Sequence, residues 1–234
     1  MSSDAAEKLC ATLYCLPFEE LYALENCNFP WLMPLIGLSL TPTVDSVHRS
    51  IMAVNDEQQR FERIAKIHAW LIPRRIYRPW FLYRLPDVLA KVDRTYTYSS
   101  FVNAFTPTGL LGHGFVDTGA ALCLTLLVVD EACREPGSAP ICFSLWRGLP
   151  FVAVHTSGMT GNQANYRSAL SFVLGRLDEC HCGTSDDLNS AHIEATRQAR
   201  QSWVQGPEQL RERKPTIYYD KGVDTRTSHL QVRP

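Results

Sequence analysis

The chain has 234 residues, of which 45% are hydrophobic and 20% charged, and its formal net charge is −1 at pH 7. This composition is sufficient to bury a core, so we expect a compact globular protein and not a disordered chain. The near-zero charge excludes a global positive field that would attract nucleic acid or an anionic membrane, so nucleic acid is not an expected partner.

The first third of the chain is predicted to be helical. Polar residues at positions 2–4 can cap a helix that runs to about Tyr14. Prolines between positions 29 and 42 predict an apolar connector, so we place an N-terminal helix and connector at residues 1–43. Apolar residues at helical spacing then predict one long helix over residues 44–71.

The rest of the chain is predicted to alternate between helices and a short β region. A helix capped at residue 117 or 118 is expected to run to Ala132. It should be buried, because this stretch is apolar on almost all sides. Dense β-branched residues at 141–156 predict one or two short strands. Further helices are expected over residues 162–180 and 185–203.

These elements predict a mainly α-helical protein with a small β element, an α+β fold in a single compact domain. We place the main helical domain at residues 44–206. A charged tail at residues 207–234 is expected to be partly mobile. The apolar runs are too short, or too interrupted by proline, for a transmembrane segment.

The run Leu85-Pro86-Asp87-Val88-Leu89 is the most informative short segment. The proline fixes φ near −65° and so begins a helix at its first turn. Leu85, Val88 and Leu89 then fall on one helical face, with the spacing that enters a hydrophobic groove on a partner. The segment therefore predicts a docking element.

Several blocks around this segment share their order and spacing with a viral family. They are Asn55 to Gln58 with Arg60, Arg63, His68, Leu71 and Pro73 upstream, and Gly112-His113, Ala120 to Leu127, Asn165 to Leu170 and Leu177 to Cys180 downstream. On these residues the chain resembles the P-zero silencing suppressors of poleroviruses, over about residues 55–180. A weaker similarity occurs at Ile217 to Asp220.

The resemblance implies a viral F-box-like protein that binds a Skp-type adaptor of a host cullin ubiquitin ligase and directs Argonaute to degradation. It assigns the adaptor contact to Leu85, Pro86 and Leu89, with Val88 on the same face. The family motif ends in a proline, for which Pro107 is the nearest candidate, eighteen residues after Leu89. The implied activity is non-enzymatic, without a cofactor, in the host cytoplasm, with the nucleus and the periphery of endomembranes as further locations.

A second Leu-Pro segment near the N-terminus is an alternative docking element. Leu16-Pro17 is followed by Phe18 and by Pro30 and Pro34, but Glu20 stands where the motif has leucine or isoleucine. We favour Leu85-Pro86, because the N-terminal segment precedes all the other family-like blocks.

A basic and aromatic stretch suggests a different function, a suppressor that binds small RNA. Four arginines alternate with four aromatic residues, and this mixture binds single strands through backbone charge and base stacking. The residues are Arg74, Arg75, Arg78, Arg84, Tyr77, Trp80, Phe81 and Tyr83. The alternative interpretation is a solvated basic face whose aromatic residues turn into the core.

An enzymatic alternative is a retropepsin-like aspartic protease. Asp117-Thr118-Gly119 has the form of its catalytic loop, and Phe172 to Arg176 resembles the segment that supports this loop. Such enzymes pair two of these loops so that two carboxylates share a proton. The helical periodicity predicted around both segments favours a helix cap at Asp117 instead.

The Cys180-His181-Cys182 run, with His192, suggests a zinc site. Two cysteines one residue apart, without a matching pair elsewhere, do not make a tetrahedral site, so no metal is predicted. The chain contains eight cysteines and begins with a polar segment that is not a signal peptide. We therefore expect reduced thiols that act as small core residues.

Overall fold

The computed structural model describes most of the first 204 residues. The described positions are 1–27, 29–35, 37, 39–74, 77–87, 89, 94–130, 137–156 and 163–204. The predictions for Val88, for the tail at 207–234 and for Ile217 to Asp220 lie outside them. Residues 1–199 form one compact unit by their internal contacts.

The fold combines a six-stranded antiparallel sheet with helices on both of its faces. The helices are α1 (Ser2–Leu13), α2 (Phe18–Tyr22), α3 (Leu40–Met52), α4 (Glu57–Leu71), α5 (Arg94–Phe105), α6 (Gln163–Leu174), α7 (Leu177–Cys180) and α8 (Leu188–Val204). The strands are β1 (Trp80–Arg84), β2 (Leu110–Asp117), β3 (Ala121–Asp130), β4 (Gly137–Trp146), β5 (Phe151–Thr156) and β6 (His181–Ser185). Their order in the sheet is β2-β3-β4-β5-β1-β6.

The sheet has one core on each face. Helices α1, α3 and α4 and the start of α8 pack on the first face, which we call the α4 side. Helices α5 and α6 pack on the second face, the α6 side. The α+β class is thus confirmed, but the sheet is a complete central layer and much larger than the small β element predicted.

The long helix predicted over residues 44–71 is two helices. Helix α3 begins earlier, at Leu40, so the predicted connector ends before Pro42. Helix α4 begins after Asp56, whose Oδ1 accepts a hydrogen bond from the Gln58 backbone N–H at 3.0 Å. Asp56 is therefore the N-cap of a second helix, which begins inside the stretch that the apolar spacing assigned to a single helix.

The helix predicted from residue 117 or 118 to Ala132 is wrong, because residues 121–130 form β3. This strand pairs with β2 on one side and with β4 on the other. A central strand covered on both faces has no polar side, so its apolar run cannot be distinguished from a buried helix by periodicity. The neighbouring strands decide the conformation.

After residue 137, two of the predicted regions are confirmed and one is corrected. The strands expected at 141–156 are β4 and β5, and the helix expected after Ser185 is α8. The Asp187 carboxylate accepts a hydrogen bond from the Ser190 backbone N–H at 2.8 Å and so caps α8. The helix expected over 162–180 ends at Leu174, because Gly175 has φ +86° and ends the helix in the left-handed conformation.

Helix α4 lies unusually close to β2. A Cβ built on Gly112 would stand 2.7 Å from the Phe61 backbone, and one on Gly114 would stand 2.5 Å from the Lys66 backbone nitrogen. Two glycines on one face of β2 therefore let the helix touch the strand directly. Among the described helices, none is long and apolar enough to cross a membrane.

Candidate functional site

The Leu85-Pro86 segment follows the last residue of β1. The Leu85 backbone N–H donates a hydrogen bond to the Pro150 carbonyl at 2.9 Å, and its side chain is 6% exposed in the core of the α6 side. Pro86 and Leu89 are half-buried and Asp87 is exposed. Asp87 and Leu89 have helical backbone, as expected after a proline at the first turn.

A cleft of about 390 Å³ lies beside this segment, and we call it the Leu-Pro cleft. One wall is Leu85, Pro86 and Asp87, and the other is the corner between α6 and α7. At that corner Arg176 and Glu179 form an exposed ion pair at 2.9 Å. The lining combines apolar side chains, such as Leu85, Pro86 and Leu174, with charged ones, and protein-binding surfaces contain both kinds.

Pro107, the candidate for the closing proline, is exposed in a 3₁₀ turn after α5. Phe105 of this region contacts Tyr166 near the start of α6, with ring centroids 6.0 Å apart. The Leu-Pro cleft instead contains Leu174 and Gly175, at the end of α6. Pro107 and the cleft therefore lie by different ends of this helix.

The N-terminal Leu-Pro segment has the same local design. Leu16 is 6% exposed, Pro17 is exposed, and α2 begins at the next residue. The Pro17 carbonyl accepts hydrogen bonds from the backbone N–H groups of Glu20 and Leu21 at 3.1 Å. Each motif thus combines a buried leucine with a proline at a helix start, so local geometry does not distinguish them.

The basic and aromatic stretch divides between the two faces of the sheet. Tyr77 and Trp80 are buried on the α4 side. Arg74 stacks on Trp70, with its guanidinium carbon 3.5 Å from the ring centroid. In β1, Phe81 and Tyr83 alternate with Trp80 and are half-buried on the α6 side. Arg75 lies outside the described residues, and the described part of the stretch is not one continuous surface for nucleic acid.

A second cleft, of about 420 Å³, lies above the outer strands of the sheet, and we call it the aromatic cleft. Phe81 and Tyr83 of β1 and His181 of β6 lie in its floor, with the His181 ring 5.3 Å from Tyr83 and 6.4 Å from Phe81. Arg167 and Asp178 stand at its wall and form an ion pair at 3.6 Å. Pairing of β1 with β6 brings Tyr83 and His181 together, although they lie about 100 positions apart in the chain.

The charges on the wall of the aromatic cleft act on the Tyr83 phenol of its floor. Burial raises the pKa of the Tyr83 phenol, and Cys180 and Asp178 raise it further while Arg167 lowers it. Burial also raises the pKa of Tyr166 beside them. Both phenols therefore remain protonated at neutral pH and keep hydroxyl groups that donate hydrogen bonds.

Asp117, the residue of the protease hypothesis, lies at the end of β2 in a hairpin turn and does not cap a helix. Its Oδ1 accepts a hydrogen bond from the Gly119 backbone N–H at 2.8 Å, and its Oδ2 accepts one from Arg147 at 3.2 Å. Gly119 has φ +80°, as this turn requires. The supporting segment proposed at Phe172 to Arg176 forms the end of α6 and the following turn. Asp117 therefore has the contacts of a turn residue.

The Cys180-His181-Cys182 run is divided by the sheet. Cys180 packs against the core of the α6 side, whereas Cys182 packs against Leu82 and α8 on the other face. His192 stacks on Trp146 at 5.1 Å. Within the described positions, no group of three or more His, Cys, Asp or Glu side chains could hold a metal ion.

A buried polar cluster connects α4 to the sheet. The His68 Nδ1 and the Tyr77 hydroxyl are 2.6 Å apart, and the Tyr77 ring contacts His155 at 5.1 Å. Burial lowers the pKa of His68 to about 4 and raises the pKa of Cys142 to about 12. These groups are neutral at pH 7, so the cluster is a structural polar network of the core.

Sequence reasoning missed Arg167, Asp178 and His181 as members of one cleft. No single short motif contains all three, because α6, α7 and β6 supply one residue each.

Comparison with protein-family models and with curated proteins finds no match to this chain.

Proposed function

We propose that this chain is a viral suppressor of host RNA silencing that acts as an F-box-like adaptor. It binds the Skp-type subunit of a host cullin ubiquitin ligase and promotes degradation of Argonaute, in the host cytoplasm. The adaptor is non-enzymatic and works by bringing two host proteins together. The resemblance of residues 55–180 to the polerovirus P-zero family carries the identity of these partners.

The observation that supports the contact is the surface position of Pro86 and Leu89. Both side chains are half-buried, and Pro86 lines the Leu-Pro cleft. Leu85 is 6% exposed, and moving its side chain out of the core would cost about 1.5–3 kcal/mol. We therefore assign the adaptor contact to Pro86 and Leu89, with Leu85 as the anchor that holds their turn on the sheet.

These two apolar contacts supply part of the free energy of a transient complex. Full burial of an exposed side chain contributes about 1.5–3 kcal/mol, and Pro86 and Leu89 contribute less because both are already half-buried, so other contacts must offset the rest of the cost of association. The exposed ion pair between Arg176 and Glu179 lies at the rim, where it would influence association rate and partner choice more than affinity.

Binding of a purified plant Skp-type adaptor to the full chain tests the proposal. The matched variants are Pro86→Ala with Leu89→Ala at one motif and Pro17→Ala with Phe18→Ala at the other. We expect the first pair to weaken binding at least about tenfold, because each lost contact contributes about 1 kcal/mol or more. The second pair should bind as the wild type does, and circular dichroism should show both variants folded.

Three results would count against this assignment. Loss of binding only in the N-terminal pair would place the contact at Leu16-Pro17. Wild-type protein that does not bind the adaptor would overturn the ubiquitin-ligase function. Binding without any fall in Argonaute level, in leaves that express the chain, would overturn the proposed outcome of that binding.

A further inference from the structure

The aromatic cleft has a chemistry that the adaptor function does not use. Its floor exposes two aromatic rings and an imidazole on adjacent antiparallel strands. The His181 ring is inclined by 63° to Tyr83 and by 48° to Phe81, so a planar ligand can stack on one ring and contact the edges of the others. A ligand with only a flat apolar ring would engage this floor but make no polar contact with the charged wall.

The wall of the cleft supplies one cation and one anion. The Arg167 and Asp178 side chains are 61% and 96% exposed and are 3.6 Å apart. An exposed pair of this kind contributes about 0–1 kcal/mol, so a ligand can take over either partner at little cost. A guanidinium binds phosphate oxygens, and a carboxylate accepts hydrogen bonds from ribose hydroxyls.

The volume and the charge of the aromatic cleft favour a single small molecule as its ligand over a polymer. Its volume of about 420 Å³ is at the lower end of small-molecule sites, which begin at about 300 Å³. Arg167 and Asp178 balance each other in charge, whereas a nucleic-acid strand needs several phosphates neutralised by a basic surface. A single ring with one sugar and one phosphate fits both conditions.

We propose that the aromatic cleft binds a nucleoside monophosphate, with the base stacked on the exposed His181 ring beside Tyr83, the phosphate on Arg167 and the ribose hydroxyls on Asp178. The Thr156 hydroxyl lies in the same lining and supplies a donor and acceptor for the base edge. Nucleotide binding is independent of the adaptor contact, because the aromatic cleft contains neither Pro86 nor Leu89.

Calorimetric titration of the full chain with uridine monophosphate, uridine and inorganic phosphate tests the proposal. We expect the wild type to bind the monophosphate at least about tenfold more tightly than uridine, through the charge-assisted contact to Arg167. Arg167→Ala should remove this difference. His181→Ala should weaken both ligands about tenfold or more by loss of stacking. The matched control is Arg197→Ala, an arginine of α8 in an ion pair with Glu194.

Several outcomes would overturn the proposal, the first four with small molecules. They are no nucleotide binding at millimolar concentration, a preference for the monophosphate that persists in Arg167→Ala, equal weakening in Arg197→Ala, and binding of N-acetyltryptophanamide as tight as that of the nucleotide. The last would identify a peptide site instead. A single-stranded RNA that binds far more tightly, with a steep salt dependence, would replace the single-nucleotide site with a strand-binding surface. None of the substituted residues Arg167, His181 and Arg197 lines the Leu-Pro cleft.

Discussion

At the scale of single residues, burial decides the chemistry of the histidines more than neighbouring charge does. Burial is the main cause that lowers the pKa of His68, His113 and His155. For His68 the folded value is about 4, against an ordinary value of 6.5. The unfolded chain therefore takes up a proton in this range before the folded chain does, and acid destabilises the fold.

The first prediction concerns this pH dependence. As pH falls from 7 to 5, His68 alone should reduce the free energy of unfolding by about 2 kcal/mol, because only the unfolded state is protonated there. His68→Gln keeps a side-chain hydrogen-bonding group for Tyr77 but does not titrate, so it should lose correspondingly less between the two pH values. Urea denaturation at both pH values measures the difference, and equal losses in both proteins would contradict it.

A second prediction at this scale concerns Leu85. Because its side chain is 6% exposed in the core of the α6 side, Leu85→Ala should lower the free energy of unfolding by about 2–5 kcal/mol. Pro86→Ala should lower it by less than about 1 kcal/mol, because Pro86 is half-buried at a helix start. Urea titration of both variants separates an anchor from a contact residue. Similar stabilities of the two variants would show that Leu85 is not an anchor.

At the scale of elements, the contact between α4 and β2 depends on the absence of side chains. Gly112 and Gly114 face the helix, and the nearest α4 backbone atoms leave no space for a Cβ at either position. The identities of these two residues therefore determine how closely α4 can approach the sheet. This contact also positions Phe61 and His68 of α4 in the core of the α4 side.

The third prediction tests this contact with Gly114→Ala. The new Cβ would stand 2.5 Å from the Lys66 backbone nitrogen, so the helix must shift, and the free energy of unfolding should fall by about 1–3 kcal/mol. Gly119→Asn is the control, since no atom lies within 4 Å and asparagine tolerates the φ of +80° there. Thermal unfolding compares the two, and a larger loss in Gly119→Asn would contradict the argument.

At the scale of the whole molecule, the sheet separates two cores, and α8 packs on a third, smaller cluster. Ala195 and Ala199 of α8 are nearly fully buried against Leu82 and Phe151. The compact unit ends at Ala199, so the core residues of the described chain lie within residues 1–199. The stability of the fold should therefore depend on α8.

The fourth prediction compares two truncated chains. A chain that ends at Val204 should unfold cooperatively, with a midpoint within a few degrees of the full chain, because it keeps the cores and α8. A chain that ends at Asp187 loses α8 and exposes Leu82 and Phe151, so it should melt much lower or fail to fold. Differential scanning calorimetry measures both. A large loss in the longer chain would show that residues after 204 contribute to the core.

Local signals in the sequence determined the parts of this fold that depend on neighbouring residues along the chain. The cap at Asp187 and the helix start after Pro86 follow from contacts within a few residues, and the strands at 141–156 were visible in their dense β-branched composition. Such signals act before any tertiary contact forms, which is why they could be predicted. The Leu-Pro motif was also visible as a sequence feature, together with the residues proposed to bind a partner.

Only the tertiary structure decided the features that depend on distant pairing. An apolar run became strand β3 because β2 and β4 supply its hydrogen bonds on both sides, although its composition allows a helix equally well. The core of the α6 side determined that Leu85 points inward. The aromatic cleft exists because β1 pairs with β6 and so brings Tyr83 beside His181, a contact between residues 98 positions apart that no local pattern encodes.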